Sequence, residues 1–90
     1  MSDELTMQLR ARIAECDRAI LAAANARLQL VAELMAHKQQ TGAGFVDRAQ
    51  EDRLLDTLAA ANDGPLSDDG VRQLFEEILA LTKRELTTRD

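Results

Sequence analysis

Arg10, Arg27 and Lys38 occupy a stretch in which apolar residues recur at steps of three and four. Arg27 sits between Ala24 and Val31 at helical spacing. Lys38 follows Arg27 by eleven residues, close to three full turns, so the two share one helix face. Lys and Arg are seldom buried without a partner. One reading has both side chains snorkelling, with stems on apolar surface and charged heads in water. The other is an anion pocket, in which Arg grips a carboxylate with its planar fork and Lys supplies a compact point charge. Arg10 precedes Arg27 by seventeen residues, which is roughly 25 Å of helix axis, and it points about a quarter turn away. Within one straight helix Arg10 and Arg27 cannot serve one pocket. Supplied by an antiparallel partner chain, Arg10 could join it.

Other residues invite a chemical reading alongside a plainer one. Asp47 and Glu51 are one turn apart. They either cap a helix and face water, or meet a hydroxyl and close off a pocket. Thr82 lies on an apolar stripe, where a hydroxyl commonly bonds back to the preceding turn. His37, the single histidine, has no Ser or Cys arranged with it and reads as a surface or rim residue. Cys16 occupies an apolar heptad-like position, which predicts a buried, inert thiol. No phosphate-loop, dinucleotide or zinc pattern appears, so no cofactor or metal is expected.

The elements that must position these groups are helical. Ala, Leu, Glu, Arg and Gln abound, while Trp and Tyr are absent and Phe occurs twice. The first segment runs from about Asp3 to Thr41 without Pro or Gly, and Gly42 and Gly44 end it. Leu5, Leu9, Ile13, Cys16, Ile20, Ala24, Leu28, Val31 and Met35 form its stripe. Such a helix spans roughly 58 Å, against a radius of gyration of roughly 12 Å for a compact chain of this length. The remaining residues cannot cover so long a stripe, but a second copy of the same helix could. A second segment starts near Asp47, which is spaced from Gln50 as an N-cap and its reciprocal partner. It carries Leu54, Leu55 and Leu58 and ends at Asn62-Asp63-Gly64-Pro65. A third starts at the N-cap Ser67 and carries Val71, Leu74, Phe75, Ile78, Leu79 and Thr82 on one stripe, fraying after Leu86.

The fold class is therefore all-α, with one long, one short and one medium helix in a single domain over residues 1–90. A chain of 90 residues buries little surface alone, and one cysteine offers no internal disulfide, so an antiparallel homodimer is expected. The net charge of −5 argues against a nucleic-acid partner. Met-Ser-Asp-Glu lacks the character of a signal peptide, and no apolar run reads as long enough for a membrane span, which predicts a cytoplasmic protein.

Taken in order, the motifs resemble those of the all-helical, type II chorismate mutases. Leu9-Arg10-Ala11-Arg12-Ile13-Ala14-Glu15-Cys16-Asp17 is similar to the family's opening. Ala26-Arg27-Leu28 through Ala36-His37-Lys38 matches its second and third cationic positions. Val46-Asp47-Arg48-Ala49-Gln50-Glu51 sits where the family has Asp followed, after two residues, by Arg-Glu. Gly64-Pro65-Leu66 and Leu74-Phe75-Glu76-Glu77-Ile78 resemble its last turn and helix.

The resemblance implies an intertwined dimer of three-helix chains that rearranges chorismate to prephenate in Phe and Tyr biosynthesis. It makes Arg10 the partner-supplied grip on one substrate carboxylate and Arg27, helped by Thr82, the grip on the other. Lys38 would contact the ether oxygen and a carboxylate. The backbone near Asp47 and the Glu51 side chain would hold the ring hydroxyl. Two positions depart from the pattern. Gln50 stands where relatives usually have Arg, and Leu86 where they have Gln or Glu, the second donor to the ether oxygen; Glu85 could substitute only if the helix register shifts. These departures leave open a weakly active or regulatory relative that needs a partner enzyme of aromatic biosynthesis. A sister activity on isochorismate or an amino-chorismate also stays open. Without the resemblance, a plain helical dimerisation module would rank first.

Overall fold

The computed structural model describes residues 3–41 and 47–87. Three helices follow one another: α1 (Glu4–Thr41), α2 (Arg48–Ala61) and α3 (Asp68–Thr87). No strand occurs among the described residues. Gly42 and Gly44, the expected terminators of α1, lie outside them. The chain divides into two compact units, Met1–Leu30 and Val31–Asp90.

The first unit is helix alone. Asp3 caps it: its carboxylate accepts a hydrogen bond from the Thr6 amide at 2.6 Å, and its carbonyl accepts one from the Met7 amide at 3.3 Å. The amide bond from Thr6, followed by a bond from the Thr6 side chain, holds the Asp3 carboxyl below the usual range. Along this unit the apolar residues are bare. Leu5, Ile13 and Ile20 are 62%, 60% and 65% exposed. Met7, Leu21 and Leu30 lie outside the series that defined the stripe and are equally open, so the apolar surface is wider than one seam.

Two expectations are corrected here. Cys16 is exposed rather than buried, because nothing in its own unit packs on the face that carries it. It borders a shallow apolar hollow with Leu9, Arg12 and Ile13. Helix α1 is also long and apolar enough, by length and composition, to cross a membrane, contrary to the reading that no run approaches that length. The rule that misled was to count uninterrupted apolar residues. An 18-residue window tolerates the isolated charges that interrupt them.

The second unit contains an antiparallel helical hairpin. Glu51 near the start of α2 pairs with Lys83 near the end of α3, and Asp56 further along α2 pairs with Arg72 near the start of α3, each at 3.0 Å. That order of partners requires opposed helix directions. Asp47 caps α2 by accepting from the Gln50 amide at 3.1 Å. The Gln50 side chain does not close a reciprocal box. Its Oε1 takes the Arg53 guanidinium at 2.8 Å instead. At the far end Asn62 ties the turn together: its Nδ2 donates to the Leu66 carbonyl at 2.7 Å and its Oδ1 accepts from the Gly64 amide at 3.1 Å. Ser67 then caps α3 through the Gly70 amide at 2.9 Å, with Asp68 and Asp69 at the positive end of the helix dipole.

The hairpin's core is thin. Among the described residues the buried apolar side chains are Ala59, Val71 and Leu86, with Thr82 the one buried polar residue. Leu54, Leu55, Leu58, Phe75, Ile78 and Leu79 are half-buried, and Leu66, Leu74 and Leu81 are exposed. Chains of this size commonly complete such a core by association.

Candidate functional site

Each predicted site residue has a definite local setting. On α1, Arg10 is exposed while Arg27 and Lys38 are half-buried. Partial burial of two cations on an apolar helix fits stems laid along apolar surface, and both take part in polar interactions. His37 is exposed, as expected of a rim residue.

On the hairpin, Asp47 spends one carboxylate oxygen on the α2 cap. Gln50 is exposed and engaged by Arg53, so a guanidinium lies against the position where relatives carry one of their own. Glu51 is half-buried, and its two oxygens stand 3.2 and 3.0 Å from Lys83 Nζ. Thr82 is buried and donates its hydroxyl proton to the Ile78 carbonyl at 2.7 Å. This is the back-bonding that its place on the stripe predicts, and it leaves the oxygen lone pairs as acceptors. Leu86 lies one turn on, 8% exposed, while Glu85 is exposed. The register of α3 therefore points Leu86 into the core, and no shift brings Glu85 into its place.

A cleft of about 310 Å³ opens between α2 and α3, walled by Glu51, Leu55, Leu79 and Lys83 among others. It brings together one predicted residue, Glu51, and one that spacing could not reveal, Lys83. The two are thirty-two residues apart on different helices and belong to no motif. Among the described residues no cluster of three or more His, Cys, Asp or Glu could hold a metal ion. What the arrangement offers is fixed charge and hydrogen bonding: acceptors at Asp47 and Glu51, and cations on half-buried stems at Arg27 and Lys38.

Comparison with known proteins decides the family. The family profile described as "Chorismate mutase type II" matches residues 9–86. The chain belongs to the type II chorismate mutase family. Two solved structures titled as chorismate mutase from Thermus thermophilus agree. Form I is 32% identical, with a TM-score of 0.85, covering 88% of this chain and 99% of that one. Form II is 30% identical, with a TM-score of 0.89, covering 97% and 99%. No curated protein sequence matches. This chorismate mutase is accordingly an isomerase, and its three helices and their order are those of the family's solved structures.

Proposed function

We propose that this chorismate mutase rearranges chorismate to prephenate in a site shared between two antiparallel copies of the chain. The observation that carries the reading is the profile match over residues 9–86, a span containing every residue assigned a role from Arg10 to Leu86. The bare apolar surface of α1 supports the dimer, since a second copy of that helix is the cover whose length and character match it. The same cover answers the membrane-like composition of α1. Within this reading residues 1–90 form one domain per subunit, the protein is cytoplasmic, and it serves aromatic amino-acid biosynthesis.

The reaction is pericyclic and needs no nucleophile. It has two demands. The enolpyruvyl group must be held over the ring, which is a matter of positioning. Negative charge growing on the ether oxygen must meet a preorganised donor in a site closed to water. Arg27 and the partner-supplied Arg10 grip the two carboxylates, with Thr82 offering its oxygen to a guanidinium. Lys38 donates to the ether oxygen. Asp47 and Glu51 accept from the ring hydroxyl.

Adding the purified protein to chorismate and following the loss of its ultraviolet absorbance tests this. Consumption with prephenate as the product is the expected result. No consumption, alone or with an added enzyme of aromatic biosynthesis, overturns it. A second reading, weak activity that rises on binding such an enzyme, is favoured by Leu86, whose buried alkyl group offers no proton to the ether oxygen.

A further inference from the structure

We infer that Lys83 is a positioning residue for the substrate, setting the Glu51 carboxylate so that it can accept the ring hydroxyl. This rests on the proposed role of Glu51.

Lys83 Nζ lies 3.0 Å from one Glu51 oxygen and 3.2 Å from the other, so it straddles the carboxylate instead of meeting one edge. A straddled carboxylate loses the freedom to rotate about its terminal bond. An ionised carboxylate has about four lone-pair sites, so two remain for a hydroxyl donor.

The pair joins two helices within one unit, so α3 fixes a side chain that α2 carries. The cleft wall explains why a cation is needed there. Glu51, Asp52 and Glu76 line it against Arg48 and Lys83. Removing Lys83 would leave Arg48 to balance three carboxylates beside an approaching dianion, and like charges at close range repel.

A role in folding alone is a poor account of the pair. The Lys83 and Glu51 side chains are 46% and 26% exposed. Ion pairs so open to water contribute on the order of 0–1 kcal/mol to stability. Function and fold should therefore separate on mutation.

The test is steady-state kinetics on the full chain with five variants. Lys83→Ala is expected to raise KM for chorismate by about three- to tenfold with kcat within about twofold, the pattern of lost uniform binding. Lys83→Arg restores KM. Arg84→Ala removes the same charge one residue on and leaves KM unchanged. Glu51→Gln raises KM, and the Lys83→Ala/Glu51→Gln double variant matches Glu51→Gln alone, because Lys83 acts through that carboxylate. If Lys83→Ala leaves KM unchanged while Glu51→Gln raises it, or if their effects simply multiply, Lys83 does not position Glu51. If Glu51→Gln itself leaves KM unchanged, Glu51 does not hold substrate and both assignments fall.

Discussion

Lys38 and Leu86 are the two residues on which turnover should depend most directly. Lys38 is half-buried near the end of α1. Placed as the donor to the ether oxygen, it should carry an effect of oxyanion-hole size, about 2.7–4 kcal/mol of barrier. Lys38→Ala is thus expected to remove detectable turnover while circular dichroism and sedimentation stay those of the unmodified protein. Surviving turnover would assign the donor elsewhere. Leu86 poses the converse experiment. Its register on α3 is that of the family's second donor, yet it is buried in the hairpin core. Leu86→Gln should raise kcat by about tenfold or more if its amide reaches the ether oxygen. It should also lower thermal stability, since an amide not occupied by substrate sits among apolar groups at a cost of about 1–3 kcal/mol. A variant that melts lower without a gain in kcat would separate the core role of position 86 from a catalytic one.

At the scale of helices, the caps and turns were legible because their chemistry is local. Asp47, Asn62 and Ser67 each make the bond that their type and spacing predict. The failures are of a different kind. Gln50 has the spacing of a capping partner, yet Arg53 lies one turn on in the same helix and takes its oxygen by a charge-assisted bond. Cys16 reads as buried because periodicity reports which face is apolar and says nothing about whether anything covers it. The Lys83–Glu51 pair depends on how α2 lies against α3, which no spacing along one helix records. The cap of α1 supports a pH prediction. The folded-state pKa of Asp3 is lowered, chiefly by the Thr6 amide. Its contribution is therefore present above the unfolded-state pKa and is lost as pH falls through the folded one. Helicity at the start of α1 should decline on acidification through that range, and Asp3→Asn, which still caps, should remove that part of the decline. Amide exchange at Thr6 and Met7 with pH would measure it. An identical profile in the variant would assign the acid sensitivity to other carboxylates.

The whole molecule poses a question of cover. Leu5, Ile13, Ile20 and Leu30 are all at least 60% exposed, and the hairpin buries only a few apolar side chains among the described residues. Single chains rarely leave so much contiguous apolar surface in water. If the cover is a second copy, folding is linked to association, and the melting temperature should rise with protein concentration. Concentration dependence alone does not place the active sites, because any dimer would display it. Mixing two inactive variants does. In a dimer of Arg10→Ala with Lys38→Ala, one site combines Arg27 and Lys38 of the first chain with Arg10 of the second, and all three are intact. The other site carries both defects. Random reassortment makes about half the dimers mixed, each with one working site, so about a quarter of unmodified activity should return. Unfolding and refolding the variants together supplies the reassortment, and refolding them separately before mixing supplies the control. Recovery near a quarter requires the arginine to act across the interface. No recovery from a verified mixed dimer would mean that Arg10 serves its own chain's site, which the roughly 25 Å of helix between it and Arg27 forbids within a straight α1, and the shared pocket would have to be abandoned.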